Sequence, residues 1–183
     1  MKHKNSSSAL TIFDSKYTCI ILIVIFFILS FLKANYFLLA HIPSASMEST
    51  IMTEDKVLGL KTAYEKNSPS RGDIIIFYPP IEDEQKLYIK RVIGLPGEII
   101  TIKQGKVFVD GEQLKESYVA LWDKDNDGYT FTVPENSYFV MGDNRDDSYD
   151  SRFWDNPFVS KEAIVAKAIC VYAPFSHLKS LVK

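Results

Sequence analysis

Residues 18–32 carry no charged side chain, and beyond Lys33 the apolar character resumes at Tyr36, Phe37, Leu38, Leu39 and Ala40. In lipid the backbone groups of such a run must all be satisfied internally, which means a helix. About 20 residues span the hydrocarbon core; that length is reached if Lys33 snorkels its amine to the interface. Tyr17 and Tyr36 suit the interfacial positions at the two ends. The sequence therefore predicts one transmembrane helix over residues 17–37. A cleaved signal peptide is the alternative, because the amino-terminal flank is basic and small residues follow at Ala40, Ser44 and Ala45. Against it, the apolar run exceeds the usual core of such a peptide. Lys2, Lys4 and Lys16 precede the helix while only Lys33 follows closely, so the positive-inside rule places residues 1–16 in the cytoplasm and residues 38–183 outside.

The rest of the chain, out of 183 residues, has the length of one domain with a real core. Its pattern is one of strands. β-Branched runs at residues 73–77, 88–93, 98–103 and 106–111, the last two joined through Gln104-Gly105, read as strands and a hairpin. Further strands are expected at residues 129–133, 138–141 and 163–172, the last possibly opening as a helix. The expected fold is an all-β domain behind one amino-terminal transmembrane helix. A net charge of -2 gives no footprint for nucleic acid, so that class of partner is excluded. Cys19 and Cys170 read as free thiols, since a bridge would join the membrane segment to the domain.

His3, His41 and His177 are scattered, with no spacing resembling a zinc site or a Ser-His-Asp arrangement. His41 is close to Ser46 in sequence, but in an extended chain the two side chains point to opposite faces. Asp123, Asp125, Asp127 and Gly128 resemble the start of a calcium loop, yet Pro134 stands where the bidentate glutamate belongs. A polar turn is the expectation there.

The chemistry lies elsewhere. The segment Pro43-Ser44-Ala45-Ser46-Met47 is followed by Lys90 within Leu87-Tyr88-Ile89-Lys90-Arg91-Val92-Ile93. Serine is a poor nucleophile until a base takes its proton, and lysine can act as that base only where burial populates its neutral amine. Lys90 sits in an apolar run of the kind that does this. Alternation along a strand gives Lys90 and Arg91 different environments, while the adjacent guanidinium would oppose protonation of the amine.

Four stretches occur together behind the apolar helix: the Ser46 segment, residues 71–77 beginning Arg71-Gly72-Asp73, the Lys90 segment, and residues 141–154, which include Gly142-Asp143-Asn144-Arg145 and Ser148-Tyr149-Asp150-Ser151-Arg152. In this order they resemble the bacterial type I signal peptidases, in the compact form of Gram-positive members. The resemblance implies Ser46 as nucleophile, Lys90 as general base, and an oxyanion hole built from the Ser46 backbone N–H and the Ser44 hydroxyl. It implies that Arg91 pairs with Asp143, that Ser148 bonds the lysine, and that Asp150 and Arg152 form a supporting ion pair. Ile42, Met47, Tyr88 and Ile89 are the implied substrate-pocket wall. The substrates implied are secretory precursor proteins, cut after small residues at the first and third positions before the scissile bond, at the bacterial plasma membrane. The phospholipid membrane is the other implied partner, and no metal or organic cofactor is implied.

The chain departs from that pattern at Ser49, where a proline is usual, at Asp147, where an asparagine is common, and at Asp155, where glycine often follows the tryptophan. The stretch from Gly111 to Asn136 leaves no room for a large inserted domain. A dedicated peptidase for a narrow substrate set, and an inactive relative serving as an assembly partner, stay open as alternatives.

Overall fold

The computed structural model describes residues 15–82, 85–119, 122 and 128–182. The calcium-loop-like residues 123–127 lie outside the described residues. Two units are distinct along the chain, residues 1–35 and residues 36–183.

Within the first, helix α1 spans Ser15–Asn35. Its end is capped by the Asn35 side-chain amide, which donates to the Phe31 carbonyl at 2.8 Å. The segment Tyr17–Asn35 has a mean hydropathy of 2.5, long and apolar enough to cross a membrane. At 1.5 Å per residue it measures about 28 Å, close to the thickness of a hydrocarbon core. The helix stops two residues short of the expected boundary. Phe37 is already strand, because it enters a backbone ladder with Leu60 that a continued helix would forfeit.

The second unit is built of strands, as expected. In chain order they are β1 (Phe37–His41), β2 (Lys56–Leu60), β3 (Ile74–Phe77), β4 (Tyr88–Gly94), β5 (Ile99–Lys103), β6 (Lys106–Val109), β7 (Glu112–Gln113), β8 (Tyr129–Thr132), β9 (Ser137–Met141), β10 (Val159–Ser160), β11 (Ile164–Ala173) and β12 (Lys179–Ser180). A large sheet runs in the order β1-β2-β11-β3-β4-β9-β10, with β12 pairing beside β11; a small sheet runs β7-β6-β5-β8. The β5–β6 hairpin turns through Gln104 (φ 54°) and Gly105 (φ 63°), and two consecutive left-handed residues are what a two-residue turn matching strand twist requires.

The sequence reading missed β1, β2 and the short edge strands. β1 reads as a continuation of the membrane segment because it is apolar, and β2 (KVLGL) is interrupted by Gly59. The opening of the 163–172 run is a short 3-10 turn at Lys161–Ala163, held by the Ser160 hydroxyl accepting from the Ala163 N–H, and β11 follows directly.

Strand β4 is buried along almost its whole length, between β3 and β9. Ile89 packs into a core with Ile42, Met47 and Ile76, Val92 into a second with Phe77, Tyr138 and Trp154, and Ile93 into a third with Ile100, Phe139 and Met141, where the small sheet meets the large one. A strand anchored in three cores is a rigid support for any side chain it carries. Curling of the large sheet brings β1, its terminal strand, and the start of β4 to the two sides of one cleft.

Candidate active site

Ser46 lies in a run of turns that follows β1, and the Ile51 and Thr50 N–H groups fold it back onto the Met47 carbonyl. Lys90 projects from β4. The two meet with Lys90 Nζ 2.6 Å from Ser46 Oγ, and both are buried, at 4% and 6% exposure. Burial lowers the Lys90 amine from its ordinary 10.5 to about 8; Asp150 raises it, Arg152 lowers it, and Asp143 and Asp147 raise it. Desolvation wins because the amine sits inside a close-packed sheet. The cation that lowers the amine is Arg152, while the guanidinium of the adjacent Arg91 is engaged by Asp143.

Arg91 and Asp143 form a two-pronged pair, Nε to Oδ1 at 2.8 Å and Nη2 to Oδ2 at 2.6 Å, with the carboxylate fully buried. Thr50 also donates to Asp143, and Arg91 Nη1 donates to the Gly72 carbonyl at 2.8 Å. The Arg71-Gly72-Asp73 motif is thereby accounted for as a brace. Arg71 pairs with Glu98, Nη1 to Oε2 at 2.8 Å, and Asp73 accepts from Tyr64 and Lys167.

A second buried pair joins Asp150 to Arg152, Nε to Oδ1 at 2.8 Å and Nη2 to Oδ2 at 3.0 Å. Asp150 further accepts the Gly142 N–H at 2.9 Å and the Ser148 hydroxyl at 2.7 Å. Ser148 was expected to bond the lysine, and here its proton goes to the carboxylate, a stronger acceptor; among the described residues no hydrogen bond joins it to Lys90. The Ser44 hydroxyl lies 3.4 Å from Ser46 Oγ.

The cleft beside this pair has a volume of ≈ 740 Å³. Ile42, Tyr88 and Ile89 line it, as do Leu38, Leu39 and Ala40 of β1 and the exposed Tyr149. Met47, expected on the wall, is fully buried in the core beneath. His41 pairs with Glu54 at 3.0 Å.

Several residues named in the sequence were given no structural role there. Gly142 has room for no side chain, since an added Cβ would fall 2.6 Å from the Ser148 Cβ and closer still to the Ser148 hydroxyl and the Ser46 carbonyl. Asn144 tethers its loop to the nucleophile turn, its backbone N–H donating to the Ser46 carbonyl and its side chain to the Ala45 carbonyl, each at 3.2 Å. Ser49 adopts φ 79°, which a proline, locked near −65°, cannot reach. Asp147 lies exposed on the cleft wall, and Asp155 is exposed.

A buried serine–amine contact, framed by two buried arginine–carboxylate pairs, thus lies beside an apolar cleft. Residues 14–173 match the family described as signal peptidase, peptidase S26. The chain is 38% identical over 147 residues to signal peptidase I of Leptolyngbya laminosa, covering 77% of this chain and 71% of that one. It is 31% identical over 187 residues to signal peptidase I of Bacillus amyloliquefaciens, covering 97% and 96%. A crystal structure of a signal peptidase I from Enterococcus faecalis V583 aligns at 32% identity with a TM-score of 0.47, over 55% of this chain and 97% of that one. The chain belongs to the signal peptidase family, a family of proteases.

Proposed function

We propose that this protein is a membrane-anchored serine endopeptidase that removes signal peptides from secreted precursors, with Ser46 as nucleophile and Lys90 as general base. The observation that carries the reading is the 2.6 Å approach of Lys90 Nζ to Ser46 Oγ in a buried setting where the amine is lowered to about 8. At pH 8 about half of such amines are neutral, against about 1 in 300 for an unperturbed lysine. When neutral, the amine accepts the serine proton; when charged, it donates to Oγ.

The steps follow from that geometry. Ser46 Oγ attacks the scissile carbonyl carbon while its proton passes to Lys90 Nζ. The negative oxygen that forms is held by the Ser46 N–H, which has no acceptor among the described residues, and by the Ser44 hydroxyl. Collapse expels the new amine, which takes the proton from Lys90. Water then gives a proton to Lys90 and attacks the acyl-serine; Ser46 Oγ leaves with the Lys90 proton, and the signal peptide departs as a carboxylic acid that loses its proton to solvent. Arg91–Asp143 and Arg152–Asp150 keep the amine and the nucleophile turn in register and make no bonds to substrate.

An extended precursor segment would enter the cleft as an added strand along β1, which pairs only with β2 among the described strands. Ile42, Tyr88 and Ile89 would form shallow walls that admit small side chains. Helix α1 would span the bacterial plasma membrane once, with the lysine-bearing tail before it in the cytoplasm and the strand domain outside, where signal peptides emerge. Anchoring of enzyme and substrate in one membrane raises their effective concentration.

The test is cleavage of several purified signal-peptide-bearing precursors by detergent-solubilised protein, with the cut mapped by mass spectrometry. Cleavage after small-x-small sites, lost when the small residues are replaced by large ones, is expected. No cleavage of any precursor by folded protein would overturn the general peptidase reading in favour of a narrow-specificity enzyme or an inactive partner.

A further inference from the structure

The residues assigned to chemistry all come from the large sheet and its turns, yet the arginines behind them lean on one limb of the small sheet, the segment after β7 that carries Glu116, Tyr118 and Trp122. The Tyr118 ring lies 4.0 Å from the Arg91 guanidinium, the buried partner of Asp143 and the backbone neighbour of Lys90. Its carbonyl accepts the Ser49 hydroxyl at 2.6 Å, and Ser49 belongs to the same turn as Ser46. Its own hydroxyl donates to Glu116 at 2.8 Å. Glu116 in turn grips Arg145 through both terminal nitrogens, Nη1 at 3.1 Å, and Arg145 Nε donates to the Gly142 carbonyl at 3.0 Å. Arg145 is 1% exposed and stands 4.8 Å over the Trp122 ring. One limb thus touches the nucleophile turn, the Arg91–Asp143 pair and the loop after β9. Among the described residues no strand ladder joins this limb to any of the three, and each of the contacts named here runs through a side chain.

We propose that Tyr118 is a positioning residue for the Ser46–Lys90 pair: its carbonyl holds the nucleophile turn through Ser49 while its ring holds Arg91, so the small sheet governs turnover from outside the substrate cleft. The inference rests on the Ser–Lys reading. Each contact is modest alone, a cation–π interaction and a hydrogen bond. Their effect on rate is larger, because small misplacements of reacting groups are costly in the transition state. Tyr118 does not line the cleft, so the loss falls on kcat and leaves KM in place.

The experiment uses the full-length protein in detergent with one precursor, comparing wild type, Ser49→Ala, Tyr118→Leu and Tyr118→Phe, with Ser46→Ala as reference. Tyr118→Leu is expected to lower kcat about tenfold with KM within about twofold, and Ser49→Ala to lower kcat about threefold, by the sensitivity of rate to alignment. Tyr118→Phe keeps ring and carbonyl and should recover most of the kcat lost in Tyr118→Leu. A purely structural role would instead lower the unfolding temperature while leaving the kcat of the folded fraction unchanged. Wild-type kcat in folded Ser49→Ala and Tyr118→Leu, or a loss confined to KM, overturns the inference; if Tyr118→Leu does not fold, Ser49→Ala, an exposed change, decides. Activity in Ser46→Ala would overturn the Ser–Lys reading itself, a separate outcome.

Discussion

A lysine proposed to take a proton from serine needs its neutral form populated, and burial moves Lys90 toward that condition at a cost to the fold. The gap between 10.5 and about 8 corresponds to about 3 kcal/mol against the charged amine in the folded state. Below pH 8 folded and unfolded chains both carry the charge and the penalty is full. Between pH 8 and 10.5 the folded chain releases its proton first, so the contribution of this residue to stability improves as pH rises. Lys90→Met is therefore expected to abolish cleavage and raise the unfolding temperature at pH 7, by about 3 °C for each kcal/mol recovered, with the advantage shrinking as pH approaches 10.5. Thermal unfolding of both proteins at pH 7 and pH 10 checks this, and a lower transition in Lys90→Met at pH 7 would contradict it. The rate itself is expected to rise with pH through about 8 as the base becomes neutral. Asp147 on the cleft wall raises the amine, so Asp147→Asn should move that limb of the profile to lower pH. An unmoved limb would show that the Asp147 carboxylate is screened from the amine by solvent. Ser46 and Lys90 were singled out from the sequence because a serine and a lysine in an apolar run are tied to specific chemistry, whereas the Arg91–Asp143 and Asp150–Arg152 ion pairs found here were implied only by the family resemblance. The partner of Ser148 was not legible, because a hydroxyl can bond an amine or a carboxylate and only the folded geometry selects Asp150.

At the scale of elements, the site depends on close approach of the loop after β9 to the turn after β1. Gly142 sits at their contact with no space for a Cβ. Gly142→Ala is expected to lower kcat at least about tenfold, since either Ser148 or the Ser46 carbonyl must shift; precursor cleavage under single-turnover conditions reads this, and a wild-type rate would show that the loop yields without moving the dyad. Strand β1 supplies much of the cleft wall, yet its first residue, Phe37, was placed in the membrane helix and residues 38–41 were not recognised as a strand. The reason is physical: Phe37, Leu38 and Leu39 are as apolar as the helix before them, and only the ladder to Leu58, Gly59 and Leu60 distinguishes strand from helix. The β5–β6 hairpin was legible because a Gln-Gly turn constrains local backbone. Contacts between Glu116 and Arg145, or Ser49 and Tyr118, join residues distant in sequence and carry no local signal.

The whole molecule combines an apolar helix whose side chains are exposed from Tyr17 onward with a strand domain that holds its own cores. Exposed apolar surface of this extent fits the membrane anchor proposed above. A chain starting at Tyr36 is expected to lose association with phospholipid vesicles in flotation, to keep its activity on short soluble peptides, and to cleave vesicle-inserted precursors more slowly. Equal rates on inserted precursors would remove the role given to anchoring. Anchoring and specificity both presuppose the proposed roles of Ser46 and Lys90 in the cleavage. The most direct test is single-turnover cleavage of one precursor by wild type, Ser46→Ala and Lys90→Ala, each shown to be folded by its thermal transition. Both variants are expected to fall by at least about a thousandfold, as when a nucleophile or its base is removed. Cleavage at the wild-type rate by either folded variant would contradict the assignment.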